Sequence, residues 1–407
     1  MNTASALDSR YSWIRLGIAM MIAITGSAGA WISVLLMPAI EADLQLGRGQ
    51  VSLPYTLTMV GFALGNLTIG RMMDRFGVAA VLVFAAFVIA GGMGLASLAG
   101  SILVLSLLQL VIGFGAGASF GPLMADISLW FLRRRGIAVA VVASGNYMAG
   151  AFWPLALAGL MEAQGWRAVY LFLAVVTLVF MLPLSQLMRR KIPLEARVTA
   201  DAISGSRAVA AGVSRPLLTV LLSLAGIGCC VAMAMPQVHI VAHSTDLGLG
   251  AVHGANMLAL MMGAGVASRL ISGWISDKIG GYRTLLLGSM AQMFTLMLFL
   301  PFDALYPLYV VSFLFGLSQG GIVPSYAMIV RGAFPAKDAG WRIGTVMSFT
   351  LFGMAFGGWL SGAIHDWTGD YQAAVLNGIG WNLLNIAIAT WLLFRAKRFL
   401  LAQPAAA

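Results

Sequence analysis

Gly70-Arg71-Met72-Met73-Asp74-Arg75-Phe76-Gly77 and Gly273-Trp274-Ile275-Ser276-Asp277-Lys278-Ile279-Gly280 are one eight-residue pattern written twice, 203 residues apart. Each has glycine at both ends, an acid at the fifth position and a base at the sixth. Each joins two apolar segments. The offset recurs elsewhere: Pro122 and Pro324 are 202 apart, and Gly165 and Gly369 are 204 apart. A near-constant offset over a chain of 407 residues points to a duplicated unit.

Around these loops the chain reads as apolar segments long enough to cross a hydrocarbon core of about 30 Å as helices. The expected spans are 14–40, 51–70, 79–99, 101–126, 137–161 and 168–188, then 216–243, 253–275, 284–302, 306–331, 342–364 and 372–394. The composition agrees, with 60% hydrophobic and 9% charged residues. A soluble domain carries about 25% charged residues, so a soluble globule is excluded. The N-terminal polar stretch precedes a span too long for a signal-peptide core, and the first helix is expected to be retained. The fold class is therefore all-α membrane protein: twelve transmembrane helices in two pseudo-symmetric six-helix bundles. Residues 1–188 form the first bundle and 216–407 the second. The stretch 189–215, with six bases, is a cytoplasmic linker.

The net charge of +10 does not indicate nucleic acid, because its distribution is that of the positive-inside rule. With a cytoplasmic start, 21 of 24 Lys and Arg fall on the cytoplasmic face. They include the run Arg133-Arg134-Arg135 and the cluster Arg189-Arg190-Lys191. Arg48 and Arg167 fall outside, among Glu41, Asp43, Glu162, Asp246, Asp303, Asp366 and Asp370. Both termini are expected to be cytoplasmic, and the location is the cell inner membrane. The remaining base, Arg269, lies inside span 8. A charge at membrane depth costs roughly 2.5–3.5 kcal/mol on insertion scales and normally faces a polar cavity. Arg269 is the first candidate for binding an anionic substrate, since its planar fork can make two charge-assisted hydrogen bonds to a carboxylate.

The paired G-x-x-x-D-[RK]-x-G loops resemble the signature of the major facilitator superfamily. The resemblance covers essentially the whole chain and implies alternating access between inward-open and outward-open states. Within that superfamily, Ser268-Arg269-Leu270-Ile271-Ser272-Gly273 in span 8 and Met235-Pro236-Gln237-Val238-His239 in span 7 resemble the monocarboxylate and oxalate/formate porter branch. There an arginine in helix 8 meets the substrate carboxylate, and by that resemblance the role carries over to Arg269. The chain departs from the branch at three places. Gly265 stands where an acid precedes the arginine, span 1 reads Gly26-Ser27-Ala28-Gly29-Ala30-Trp31 in place of an acidic motif, and span 11 has no lysine. The missing lysine removes the second counter-charge a dianion would need.

Other polar and aromatic residues interrupt the spans that would line a central cavity. Tyr326, Asn146 and Tyr147 are expected to support Arg269, with Gln237, Trp31, Ser119, Phe120 and Gln319 as further substrate-binding candidates. Asp74, Arg75, Asp277 and Lys278 are candidates for gating, since a carboxylate and a base at a helix end can pair across the boundary of the halves. His239 and Asp126 are candidates for proton coupling. Histidine titrates near neutral pH; Asp126 reads first as a structural partner for bases of the span 2–3 loop and only second as a proton carrier. Asn66 is the repeat partner of Arg269 and reads either as a cavity residue or as a helix–helix hydrogen bond. The adjacent Cys229 and Cys230 read as packing residues. No metal site and no cofactor is expected, and the chain has no Walker loop.

The expected function is secondary active transport of a small organic anion, foremost a monocarboxylate, with no enzymatic chemistry. The lipid bilayer, the substrate, and a coupling proton or counter-substrate are the expected partners, and a monomer is the expected working unit. Two alternatives stay open. One is a larger ring compound such as riboflavin, which some fungal relatives of these porters carry. The other is a non-transporting membrane sensor built on the same fold.

Overall fold

The structure is a computed structural model that describes residues 7–131, 134–190, 213–334 and 336–402. Most of the 189–215 stretch lies outside them. The described residues contain helices and turns and no strand. In chain order, span 1 is Arg10–Gly26 and Ala28–Leu44, span 2 is Leu53–Phe76 and span 3 is Val78–Ala96. Span 4 is Ile102–Ala116 and Gly121–Trp130, joined by a short 3-10 turn. Spans 5 and 6 run as Arg135–Leu187, broken at Gly165. Spans 7, 8 and 9 are Arg215–Asp246, Ala251–Ile279 and Gly281–Leu298. Span 10 is Leu305–Gln319 and Ile322–Ala333, span 11 is Ala336–Thr368 and span 12 is Gln372–Ala402. The twelve spans match the expected order.

The repeat seen in the sequence has a backbone cause. Gly77 and Gly280, which end the two loops, have φ 83° with ψ 158° and 160°. Gly165 and Gly369 have φ 79° and 80°. The Gly77, Gly280 and Gly165 conformations lie in a region essentially restricted to glycine, so one helix can end and the next begin almost at once. The repeat also extends to packing. A side chain at Gly113 in span 4 would strike the Thr58 carbonyl of span 2. Its counterpart Gly316 in span 10 would strike the Met261 carbonyl of span 8. Both pairs keep the 203-residue offset, so small residues let spans 2 and 4, and spans 8 and 10, pack backbone to backbone.

Large apolar side chains cover the outside of the bundle, for example Phe87, Leu107, Val179, Phe294 and Leu383, all exposed. Such a surface is stable in lipid and not in water. The two bases outside the positive-inside pattern are neutralised where they stand. Arg167 lies 2.8 Å from Asp43, whose carboxylate also accepts from Trp166 at 3.1 Å. Arg48 is buried among Glu41, Asp246 and Tyr371.

The halves close on each other at this acidic end. Asp366, near the end of span 11, accepts from the backbone N–H groups of Arg48 and Gly49, both at 2.7 Å. Gly362 packs on the backbone of Arg48 and Gly49, and Gly358 packs on the Tyr55 ring. Thr56 in span 2 donates to the Ala355 carbonyl of span 11 at 3.2 Å.

Candidate functional site

Arg269 is 6% exposed and reaches across the boundary between the halves. Its Nη1 donates to the Ala143 carbonyl of span 5 at 2.6 Å, and its Nε to the Gly320 carbonyl of span 10 at 3.4 Å. The guanidinium lies over the Tyr147 ring, 4.1 Å from its centroid. The Gly320 carbonyl is within reach because span 10 breaks there, between Gln319 and Ile322. Among the described residues no carboxylate pairs with Arg269. Two backbone carbonyls and an aromatic face solvate the cation without cancelling its charge. A buried charge without an ion partner is costly, so the site is poised for an anion.

Asn146 and Tyr147 extend the site along span 5. Trp31 of span 1 donates its indole N–H to Asn146 Oδ1 at 3.0 Å. The Tyr147 hydroxyl points toward the Met233 sulfur of span 7 at 4.0 Å. Gly150, one turn further, lies against the Trp31 ring and Met262 of span 8, where no larger residue fits. Spans 1, 5, 7 and 8 thus bring Trp31, Asn146, Tyr147 and Arg269 together.

The other binding candidates have other hydrogen-bond and packing partners. Tyr326 is fully buried and donates to Asn385 of span 12 at 2.8 Å. Asn385 in turn donates to Ser289 of span 9 at 2.8 Å. This polar knot joins spans 9, 10 and 12 inside the second half. Gln237 donates to Gln319, so these two amides satisfy each other first, and Gln319 Nε2 is left without a partner. Ser119 packs against Gly26 of span 1, and its buried hydroxyl has no partner. Phe120 stacks edge-on against Phe62 at 5.7 Å. Asn66, the repeat partner of Arg269, accepts from the Gly121 N–H at 3.0 Å and caps the second segment of span 4. It is a helix–helix hydrogen bond.

Asp126 has a different partner from the loop bases expected. Both its oxygens accept from Arg15 of span 1, at 2.9 and 3.0 Å. Arg15 is 1% exposed, lies over Trp130, and also donates to the Met188 and Arg190 carbonyls at 3.1 and 3.2 Å. The pair ties spans 1, 4 and 6 together at the basic end. His239 is fully buried at the opposite end, between the Gly358 carbonyl at 2.8 Å and the Tyr371 hydroxyl at 3.2 Å. The side chains of Asp74 and Asp277 lie outside the described residues. Arg75 and Lys278 are exposed and rest on Phe76 and Trp274. Cys229 and Cys230 are buried free thiols.

Two groups went unnoticed in the sequence. Tyr55 of span 2 is 1% exposed, and its buried hydroxyl has no hydrogen-bond partner among the described residues. An isolated tyrosine in an apolar span carries no signal for that. Arg48 did carry one, as one of only two bases on the acidic face. Burial works against its charge, but Tyr371, Asp246 and Glu41 hold its pKa above the ordinary arginine value.

Comparison with known proteins agrees with this architecture. The Major Facilitator Superfamily profile matches residues 18–306. Monocarboxylate transporter 13 of Rattus norvegicus is 30% identical over 292 residues, covering 70% of this chain and 66% of the relative. Monocarboxylate transporter 11 of Mus musculus is 29% identical over 367 residues, 85% of this chain and 74% of the relative. The MFS transporter asaE of Aspergillus flavus is 24% identical over 318 residues, 76% and 70% of the two chains. Among solved structures, a bacterial homolog of the human lysosomal transporter Spinster, inward-facing and occupied, superposes with TM-score 0.73. It is 14% identical over 97% of this chain and 99% of that one, a likeness of fold.

Proposed function

The chain belongs to the major facilitator superfamily, and from that premise we propose that it carries a small monocarboxylate across the inner membrane by alternating access. The observation that carries this reading is Arg269: a buried cation between the halves whose described neighbours include no carboxylate. A substrate carboxylate would take over the fork now engaged with the Ala143 carbonyl. That exchange trades a neutral acceptor for a charged one, and a carboxylate can take two parallel N–H bonds from the guanidinium fork as well as pair with its charge. It would also loosen one bond between the halves, which links binding to movement. Trp31, Asn146 and Tyr147 shape the surroundings, and the relatives named as monocarboxylate transporters support the substrate class.

The proposed test is reconstitution in proteoliposomes with a panel of labelled monocarboxylates and neutral ring compounds. Saturable uptake of at least one monocarboxylate is expected. Flux of ring compounds alone would overturn the substrate class, and flux of nothing would favour a sensor.

The acidic end is proposed to face outward, which makes the structure outward-closed. The loops bearing Asp74, Arg75, Asp277 and Lys278 then lie on the cytoplasmic side, where they are proposed to stabilise one state of the cycle. The 21-to-2 division of bases sets this orientation. A reporter fused after Ala407 is expected to be active only if it is a cytoplasmic reporter. Activity of a reporter that works only outside would reverse the topology.

A further inference from the structure

The closed acidic end contains a hydrogen-bond chain whose direction is set by chemistry. A guanidinium can only donate, so Arg48 Nη1 donates to the Tyr371 oxygen at 3.0 Å. A carbonyl can only accept, so His239 Nε2 carries a proton and donates to Gly358 at 2.8 Å. In neutral imidazole the other nitrogen is then an acceptor. The single hydroxyl proton of Tyr371 therefore goes to His239 Nδ1, 3.2 Å away. Every group in the chain is satisfied with His239 neutral.

We propose that His239 is a proton-binding site, and that a proton there releases the latch between the halves. The proposal rests on the transport reading only for its purpose. A protonated His239 carries N–H at both nitrogens. The Tyr371 oxygen would then face two cationic donors, Arg48 and His239, and its own proton would lose its acceptor. A second buried cation would also sit close to the first. The charged and titratable groups around the site come from every packed element. Span 7 supplies His243 and Asp246, with Asp303 lying 3.8 Å from His243. Span 1 supplies Glu41, the span 1–2 connection supplies Arg48, span 11 supplies His365 and Asp366, and Asp370 and Tyr371 precede span 12. The nearby carboxylates are already engaged: Asp246 and Glu41 with Arg48, and Asp366 with the Arg48 and Gly49 amides.

The latch joins Arg48 of the first half to Asp246, Asp366 and Tyr371 of the second, so a disturbance at Tyr371 is felt across the boundary. Gly358, which accepts from His239, also packs on the Tyr55 ring of the first half. Reclosure after protonation then requires that the proton leave, so the latch opens and closes with the proton.

The test uses the full chain in lipid nanodiscs, without any carboxylate. Spin labels go at Gly100→Cys and Ala304→Cys, exposed positions at the acidic end of each half. Cys229 and Cys230 are buried. Lowering the pH from about 8 to about 4, through and below the range in which an unperturbed histidine changes charge, is expected to lengthen the label distance. His239→Gln keeps a donor and an acceptor but does not titrate, and it is expected to abolish the response. Tyr371→Phe removes the hydroxyl shared with Arg48 and is expected to flatten it. His365→Gln and His243→Gln are expected to retain it. A parent protein indifferent to pH, or His239→Gln or Tyr371→Phe responding like the parent, overturns the proposal. No carboxylate is present, so such a result leaves the Arg269 reading intact. Failure of carboxylate binding would equally leave the latch measurement standing.

Discussion

Arg269→Lys is expected to weaken binding of a monocarboxylate by about 5- to 150-fold. The charge survives, but the planar fork does not, and an ammonium cannot serve the Ala143 and Gly320 carbonyls and a carboxylate in the same geometry. Losing a buried charge-assisted partner costs about 1–3 kcal/mol, and each 1.4 kcal/mol is a factor of ten. Arg269→Ala is expected to be worse, since nothing then offsets the substrate's charge. Binding to the purified variants, with circular dichroism as a folding control, reads this directly. The same variants separate the two transport readings. For a neutral ring compound, Arg269→Lys should matter little, while Tyr147→Ala and Trp31→Ala should matter greatly. Unchanged carboxylate affinity in Arg269→Ala would leave the arginine a structural tie between spans 5, 8 and 10.

Arg15→Ala is expected to destabilise the protein by about 3–5 kcal/mol, the usual cost of removing one partner of a buried ion pair. Asp126 would keep its buried position and lose both hydrogen bonds, and the Met188 and Arg190 carbonyls would lose a donor. Replacing both partners with apolar residues of similar volume, Arg15→Met with Asp126→Leu, is expected to recover most of the loss. Thermal unfolding in detergent measures both. If Arg15→Ala melts with the parent, the pair does not hold spans 1, 4 and 6 together.

The two predictions differ in how visible their residues were. Arg269 stood out because it is the one base far from either end of an apolar span, and that position is a property of the chain alone. Arg15 looked like one more base at the first helix end. Its burial follows from the approach of spans 4 and 6, which bring Trp130 over its face and Met188 to its tip. Asp126 was legible as a charge needing a partner, but the partner named for it was the wrong one. Tyr326 and Tyr147 looked alike in sequence, each a tyrosine within an apolar helix. In the fold Tyr147 lies under Arg269 and Tyr326 bonds to Asn385.

Sequence alone determined the twelve spans, the duplication and the arginine inside span 8. Hydropathy, charge position and a fixed offset are one-dimensional quantities, and Gly77, Gly165, Gly280 and Gly369 mark conformations that glycine adopts most readily. Only the tertiary structure decided which polar groups meet. These helices are apolar nearly all round, so their sequence does not mark which face turns inward. Whether Gln237 meets a substrate or Gln319, or His239 meets lipid or Tyr371, depends on how each helix is rotated against its neighbours. Close backbone contacts such as Gly113 on Thr58 and Gly316 on Met261 set that rotation.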